Sequence, residues 1–181
     1  MCDCVRTRLP KHFLDALKNK DIQFQFALPG ERRQDSVWNG LQKLESSANV
    51  CIHDSARPLI TSQLVRNVVD EANKWGAAVC GVRSKSTIKI CDAKQKVLQT
   101  PERSSLWEIQ TPQVARLDLL KEGFEYVNRH QLTVTDDASL IEAIYKPVKV
   151  VEGSYKNIKV TTPGDLDFLE FLLSRSCSVT K

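Results

Sequence analysis

The sequence predicts a single α/β domain with a parallel sheet. An apolar, β-branched run at residues 50–52 indicates a buried strand, and residues 76–82 form a second buried run of small residues. Between them, apolar residues recur at helical spacing over residues 64–72. A strand, a helix and a strand in this order imply a right-handed crossover between parallel strands. The chain has 181 residues, of which 41% are hydrophobic, which is enough for one core and too little for two.

The composition favours a small anionic ligand. Charged residues make up 27% of the chain and the net charge is +4, yet the dense basic run typical of nucleic-acid binding is absent. No stretch approaches membrane-spanning length, and the first residues contain no apolar signal core. We therefore expect neither a nucleic acid nor a membrane as a partner. The six cysteines are scattered, which favours a reducing compartment, and the pair Cys2 and Cys4 has no second pair at zinc-ligand spacing.

Two elements are predicted before the central strand. Pro10 opens an amphipathic helix that ends near residue 20, and residues 22–26 alternate strictly between apolar and polar, which indicates a half-buried strand. A loop over residues 30–36 then leads into an amphipathic helix.

This loop is a candidate ligand-binding turn. Gly30 stands beside a helix start for which Asp35 or Ser36 is the expected N-cap, and free amides there suit an anion or a base edge. The alternative is that Arg32 and Arg33 are solvated surface charges and that the glycine only makes a turn.

The central strand ends abruptly in charged residues. Residues 50–52 are followed by Asp54 and, three positions later, by Arg57. In open α/β sheets, ligands bind in the crevice beyond the carboxyl ends of the strands. Asp54 is therefore a candidate contact for a metal or a hydroxyl, and Arg57 for a phosphate. The alternative is a plain turn, with Asp54 bonded to backbone amides and Arg57 in a surface ion pair. Cys51 and His53 are predicted to be strand and packing positions.

A β-hairpin interrupts the pattern of the core. Residues 87–90 and 96–99 alternate in polarity and are joined by a polar turn at residues 92–95. An isolated two-stranded hairpin is marginally stable in water. We therefore expect this insertion, the β-arm at about residues 84–106, to be supported by a partner subunit.

The rest of the chain alternates again. Residues 106–113 are predicted as a strand, residues 117–127 as a helix and residues 148–151 as a short buried strand. Two adjacent carboxylates, Asp136 and Asp137, precede another helix and are either capping residues or ligand contacts.

Lys159 stands alone between two strand-forming residues, just before a helix that begins near Asp165. Such a lysine either points into solvent or, near the end of a strand, contacts a phosphate.

Five short motifs together resemble one family. Each is weak alone, but their order, spacing and number are specific, and they cover residues 21–173. They are PG at 29–30 with QDSV at 34–37, HDSARP at 53–58, TPQ at 111–113, TDDAS at 135–139 and NIKVT at 157–161. The chain resembles the 2-C-methyl-D-erythritol 4-phosphate cytidylyltransferases, and its motifs are most similar to those of the plant plastid members.

The resemblance implies a fold, a reaction and a location. The fold is a Rossmann-like nucleotidyltransferase sheet with a protruding β-arm, through which two subunits form a homodimer. The reaction transfers CMP from CTP to the phosphate of 2-C-methyl-D-erythritol 4-phosphate, with Mg²⁺ and release of pyrophosphate, in the non-mevalonate pathway to isoprenoids. The implied location is the plastid, in the chloroplast stroma. Such a reaction needs cations that gather two anions rather than a covalent nucleophile.

The resemblance also implies residue roles. Lys159 and Arg103 match the cations that clamp the acceptor phosphate, with Arg103 reaching from the β-arm into the neighbouring subunit's site. Asp54 and Arg57 match residues of the acceptor and metal region, with Asp54 as the metal ligand. The matched acceptor contacts are Thr87, Thr111, Thr135 and Asp136, and the matched nucleotide contacts are Gly30, Glu31, Ser36 and Ser55.

The sequence departs from the family at one motif. The family's glycine-rich loop, of the type L-A-A-G-x-G-x-R-M followed by a proline–lysine pair, has no match in the 181 residues. Because the amides and cations of that loop hold the triphosphate, we expect this chain alone to be inactive or very weak. Two other interpretations stay open: a pentitol phosphate cytidylyltransferase that acts on ribitol phosphate, and a non-catalytic subunit that pairs through its β-arm with a complete copy.

Overall fold

A four-stranded mixed sheet lies at the centre of the structure, a computed structural model that describes residues 25–45 and 48–176. Its strands are β1 (Asn49–Ile52), β2 (Ala77–Arg83), β5 (Trp107–Arg116) and β6 (Lys149–Glu152), in the spatial order β1-β5-β2-β6. Strand β5 pairs antiparallel with both β1 and β2, whereas β2 and β6 are parallel.

Helices cover both faces of this sheet. The described residues form α1 (Arg33–Leu41), α2 (Ser62–Trp75), α3 (Leu117–His130), α4 (Ala138–Ala143) and α5 (Pro163–Ser176). Helix α2 packs on one face, against the side chains of β2 and β5, and helices α1, α3 and α4 pack on the other. The arrangement is therefore a three-layer α/β/α domain, as the sequence predicts in class.

The core consists of small residues on the strands and larger ones on the helices. On the α2 face, Val68 and Ala72 are fully buried against Ala78 and Cys80. On the opposite face, the buried residues are Leu41, Ala77, Ala115, Leu117, Leu120, Phe124, Val127, Leu140 and Ile141. Small strand residues let the helices approach the sheet closely.

The predicted parallel sheet is correct only in part. Strands β1 and β2 run in the same direction and are joined by α2, but β5 lies between them and is antiparallel to both. Strand β5 follows β2 as the second strand of a long hairpin, in which Arg83 pairs with Trp107. A hairpin makes antiparallel neighbours, and the apolar pattern of a strand buried on both faces does not reveal its direction.

The β-arm is the loop of this hairpin. Its strands β3 (Ile90–Cys91) and β4 (Val97–Gln99) form a separate two-stranded antiparallel sheet. At its base, the Arg83 guanidinium lies 4.6 Å from the Trp107 ring centroid, and the Tyr155 hydroxyl donates to the Arg83 carbonyl at 2.7 Å. The arm exposes the apolar side chains of Ile88, Ile90, Val97 and Leu98.

Two element boundaries differ from the prediction. Helix α1 begins at Arg33 with Arg32 as its N-cap, instead of Asp35 or Ser36, because Asp35 accepts the Arg32 backbone N–H from inside the first turn at 3.0 Å. Residues 158–162, which include the predicted strand-forming neighbours of Lys159, belong to no strand.

Several predicted features lie outside the described residues: the helix at residues 10–20, most of the strand at residues 22–26, and the pair Cys2 and Cys4. Of the predicted strand, only Gln25 and Phe26 are described, and neither is in a strand. In the part of the chain that is described, no helix is both long enough and apolar enough to span a bilayer.

Candidate active site

Asp54 is the centre of a cluster of charges beyond the carboxyl end of β1. Its side chain is 16% exposed, and Lys159 Nζ lies 3.0 Å from Oδ2. Arg57 Nε lies 3.6 Å from the same oxygen, and Arg33 Nη2 lies 3.8 Å from Oδ1. One carboxylate therefore holds three cationic groups that come from three different segments of the chain.

These neighbours set the charge of Asp54. Burial alone raises the pKa of this carboxyl, but the hydrogen bond and charge of Lys159, with the charges of Arg33 and Arg57, hold it below its ordinary value. The carboxylate is therefore fully ionised at neutral pH. It is suited to hold cations, and unsuited to donate a proton.

His53 and Thr111 fix the turn that carries Asp54. The Thr111 hydroxyl, on the neighbouring strand β5, accepts the Asp54 backbone N–H at 2.9 Å and lies 3.1 Å from His53 Nδ1. His53 Nε2 lies 3.2 Å from the Arg57 carbonyl, which only accepts. In the neutral ring, Nε2 therefore carries the proton and Nδ1 accepts from Thr111. The imidazole joins both ends of the turn, a role that the prediction of a packing position missed.

Arg57 is anchored from the other side. Its side chain is 12% exposed, and Nη1 donates to the Asn157 carbonyl at 2.7 Å. The alternative of a surface ion pair is therefore wrong for Arg57, because the guanidinium lies mostly buried between Asp54 and the segment that precedes Lys159.

Arg33 and Asp137 form a second ion pair beside this cluster. Arg33 Nη1 and Nη2 donate to the two carboxylate oxygens of Asp137 at 2.9 and 2.7 Å, and the Asp137 side chain is 3% exposed. The pair joins the start of α1 to the start of α4. The sequence does not predict this pairing, because the two residues are 104 positions apart and no local pattern connects them.

The side chain of Asp136 caps helix α4, which is one of the two roles that the sequence allows for it. Its Oδ1 accepts the Ser139 backbone N–H at 3.0 Å and the Ser139 hydroxyl at 2.5 Å, which caps the start of α4. Its Oδ2 accepts from Gln113 Nε2 of β5 at 3.0 Å. Thr135 is exposed beside it, with its hydroxyl 3.5 Å from that of Ser139. The side chain of Asp136 thus caps the helix, whereas Asp137, which occupies the N-cap position, makes no capping hydrogen bond with its side chain.

The predicted nucleotide contacts divide into two groups. Gly30 and Ser36 are close, because the Gly30 N–H donates to the Ser36 hydroxyl at 2.8 Å. Only glycine fits there, since a Cβ on Gly30 would lie 2.2 Å from the Asp35 Cβ. Glu31 and Ser55 are exposed, and their side chains make no hydrogen bond within the described residues.

Two predicted residues belong to the β-arm. Arg103 begins a short 3₁₀ helix, and its Nη1 lies 3.4 Å from the Lys85 carbonyl. Thr87 is exposed just before β3. Within the described part of the chain, neither residue contacts Asp54 or Lys159. Their predicted role in the site stays a prediction.

The residues around Asp54 fit a magnesium ion only if substrate phosphates supply further ligands to it. No group of three or more histidine, cysteine, aspartate or glutamate side chains is placed to hold a metal within the described residues. Mg²⁺ is commonly bound by one or two carboxylates together with the phosphates of a substrate. Asp54 supplies one such carboxylate, so the site fits an ion that arrives with a nucleotide.

This combination defines a class of protein. An α/β sheet that gathers lysine and arginine side chains around one carboxylate, beyond the carboxyl end of a strand, is typical of enzymes that bind phosphorylated ligands.

Comparison with known proteins gives the family. The family model described as 2-C-methyl-D-erythritol 4-phosphate cytidylyltransferase matches residues 8–175. A chloroplastic protein of that name from Oryza sativa subsp. japonica is 51% identical over 163 residues, which are 90% of this chain and 55% of the relative. One from Geobacillus thermodenitrificans is 49% identical, over 82% of this chain and 65% of the relative. The chain belongs to the 2-C-methyl-D-erythritol 4-phosphate cytidylyltransferase family.

Solved structures agree with this. A 4-diphosphocytidyl-2C-methyl-D-erythritol synthase from Anaerococcus prevotii superposes with a TM-score of 0.81 at 32% identity, covering 90% of this chain and 76% of that one. A 2-C-methyl-D-erythritol 4-phosphate cytidylyltransferase from Thermus thermophilus gives 0.71 at 31% identity, covering 84% and 77%. The fold is therefore that of these nucleotidyltransferases. The chain spans between about half and two thirds of the length of the curated relatives.

Proposed function

We propose that this protein transfers CMP from CTP to the phosphate of 2-C-methyl-D-erythritol 4-phosphate and releases pyrophosphate. The observation that carries the proposal is the cluster of Lys159, Arg57 and Arg33 around Asp54, in a member of this family. The reaction joins two anions, and it needs cations at the place where they meet.

Lys159 is the cation best placed to bind the acceptor phosphate. Its side chain is 45% exposed, whereas that of Arg57 is 12% exposed. The ammonium group is accessible from solvent and is held in place by Asp54, so little side-chain entropy is lost when the phosphate binds. Arg57, which lies deeper, adds positive charge from behind.

The same cations favour the transition state. A phosphate oxygen of the acceptor attacks the α-phosphorus of CTP in line with the leaving pyrophosphate, and negative charge spreads over the oxygens between them. Lys159 and Arg57 bring the attacking anion close and offset this charge without forming a covalent bond to either substrate. Mg²⁺, when it is bound with the nucleotide, would supply further positive charge, and Asp54 is the residue that would hold it.

The β-arm supports a homodimer as part of the proposal. Its two short strands pack on no other strand in the described chain, and they expose Ile88, Ile90, Val97 and Leu98. Such a hairpin is marginal alone, so a second copy is a suitable partner. In that dimer, Arg103 at the base of one β-arm would complete the partner's acceptor site. We also propose a location in the chloroplast stroma, since the rice relative is named as chloroplastic.

The test is an acceptor comparison. Pyrophosphate release from CTP is measured for the 181-residue chain and for a chimera that joins it to the part of the rice relative outside the match. We expect 2-C-methyl-D-erythritol 4-phosphate to support release by the chimera at least 100-fold better than ribitol 5-phosphate. Equal rates with both acceptors, or release with the pentitol phosphate alone, would contradict the proposal.

A further inference from the structure

Asn157 is a fully buried polar residue whose contacts lead to the candidate active site. Its side-chain Nδ2 donates to the Thr111 carbonyl at 2.9 Å and to Gln110 Oε1 at 3.2 Å. Its backbone carbonyl accepts from Arg57 Nη1 at 2.7 Å. A buried amide is costly unless it is hydrogen-bonded. With two acceptors opposite, the amide nitrogen has to face them, so the orientation of the side chain is fixed.

Lys159 lies two residues after this anchor. Residues 158–162 belong to no strand, and one backbone hydrogen bond of 2.8 Å, from Val160 to Ala56, ties them to the turn beyond β1. Lys159 Nζ nevertheless reaches Asp54 Oδ2 at 3.0 Å. The position of the ammonium group therefore depends on where Asn157 holds the preceding backbone.

Gln110 of β5 holds the other side of Asn157. Its side chain is buried, its Nε2 donates to the Ser154 carbonyl at 3.0 Å, and its Oε1 accepts from Asn157. Gly153 leaves room for this amide, because a Cβ there would lie 2.7 Å from Gln110 Oε1. Strand β5 is thus hydrogen-bonded, through Gln110, to both ends of the loop from Ser154 to Asn157.

We propose that Asn157 is a positioning residue, which holds Arg57 and Lys159 around Asp54 so that both cations meet the acceptor phosphate together. The link to the acceptor rests on the proposed function, whereas the link to Asp54 does not. Without the amide, residue 157 loses its two hydrogen bonds to β5, and the two cations separate from the carboxylate.

The test uses the 181-residue chain and two readouts. The first is the NMR signal of the Lys159 ammonium group, which reports its ion pair with Asp54, and the second is the dissociation constant of 2-C-methyl-D-erythritol 4-phosphate, measured by calorimetry. Asn157→Leu keeps the size of the side chain and removes its donors. We expect it to abolish the signal of the ion-paired ammonium group, because Lys159 Nζ moves away from Asp54 Oδ2, and to weaken acceptor binding at least tenfold. Asn67→Leu, which removes an exposed amide that contacts Gln63 on α2, should change neither.

The outcomes separate this inference from the proposed function. If Asn157→Leu folds and leaves the Lys159 ammonium signal unchanged, the positioning role is wrong. If it does not fold, Gln110→Leu is measured instead, because it removes the side chain that accepts from Asn157 and leaves the Asn157 carbonyl to accept from Arg57; an unchanged Lys159 signal in that variant also contradicts the positioning role. Lys159→Ala is the reference for binding: unchanged acceptor affinity in that variant contradicts the proposed function, while the Lys159 signal in the Asn157 variant still decides the role of Asn157.

Discussion

Arg33→Ala is expected to destabilise the fold through the carboxylate that it leaves behind. Asp137 is 3% exposed, and both of its carboxylate oxygens accept from Arg33, at 2.7 and 2.9 Å. Removing one partner of a buried ion pair costs about 3–5 kcal/mol. Because the Arg33 side chain is itself 42% exposed, water reaches the vacated position and screens the loss, which reduces the expected cost to about 2–3 kcal/mol.

The assay is unfolding of the 181-residue chain by urea and by heat. A loss of this size corresponds to a fall in Tm of about 4–12 °C for a domain of this length. Arg32→Ala is the matched control, since Arg32 pairs with the more exposed Asp35 on the surface, and its effect should be clearly smaller. The double variant Arg33→Ala, Asp137→Ala should recover part of the stability, because no buried charge is left unpaired.

Equal destabilisation by Arg33→Ala and Arg32→Ala would refute this reasoning. So would a double variant that is less stable than Arg33→Ala alone, since the buried carboxylate would then not be the source of the cost.

Three further predictions follow from single contacts. Lys159→Ala should raise the pKa of Asp54, measured by NMR. Because the pKa of Asp54 in the folded chain lies below its ordinary value of 3.8, the ionised carboxylate stabilises the fold above pH 3.8, and this stabilisation is lost as the pH falls through the folded pKa. In the variant, the loss should occur at a higher pH. Gly30→Ala should destabilise the fold by about 1–3 kcal/mol, because its Cβ would overlap the first turn of α1. Gly40→Ala, with open space around it, should stabilise the fold by about 0.5–1 kcal/mol. A Gly30→Ala chain that is more stable to urea than the Gly40→Ala chain would contradict the structure. Burial raises the pKa of the Cys80 thiol to about 11, so iodoacetamide at neutral pH should label Cys91, the exposed thiol of the β-arm, and should label Cys80 only after unfolding. Labelling of Cys80 in the folded chain would contradict the burial of its thiol.

The sequence predicts the parts of the fold that depend on local pattern. The crossover from β1 through α2 to β2 follows from apolar spacing, and the hairpin of the β-arm follows from short alternating pieces. Strand order does not follow from such patterns. The position of β5 between β1 and β2 depends on the long hairpin, and a strand that is buried on both faces carries no mark of its direction.

The sequence likewise predicts some residues of the candidate site and not others. Asp54 and Lys159 stand out in the sequence as charges beside apolar residues, and the structure brings them within 3.0 Å. The sequence does not predict a place for Arg33 in the site, because its partner is a carboxylate 104 residues away. The sequence predicts only packing for His53, because its role lies in two hydrogen bonds across the turn, which only the folded backbone defines.

If Lys159 binds the acceptor phosphate during the transfer, its loss should slow the reaction of this acceptor. The most direct test is kcat/KM of the chimera for 2-C-methyl-D-erythritol 4-phosphate, with Lys159→Ala compared with Lys156→Ala, which changes an exposed lysine three positions earlier. We expect a loss of at least 100-fold for Lys159→Ala, about 2.7 kcal/mol of transition-state stabilisation, with the Lys156→Ala value unchanged and both variants folded. Equal kcat/KM in the two variants would contradict this role of Lys159.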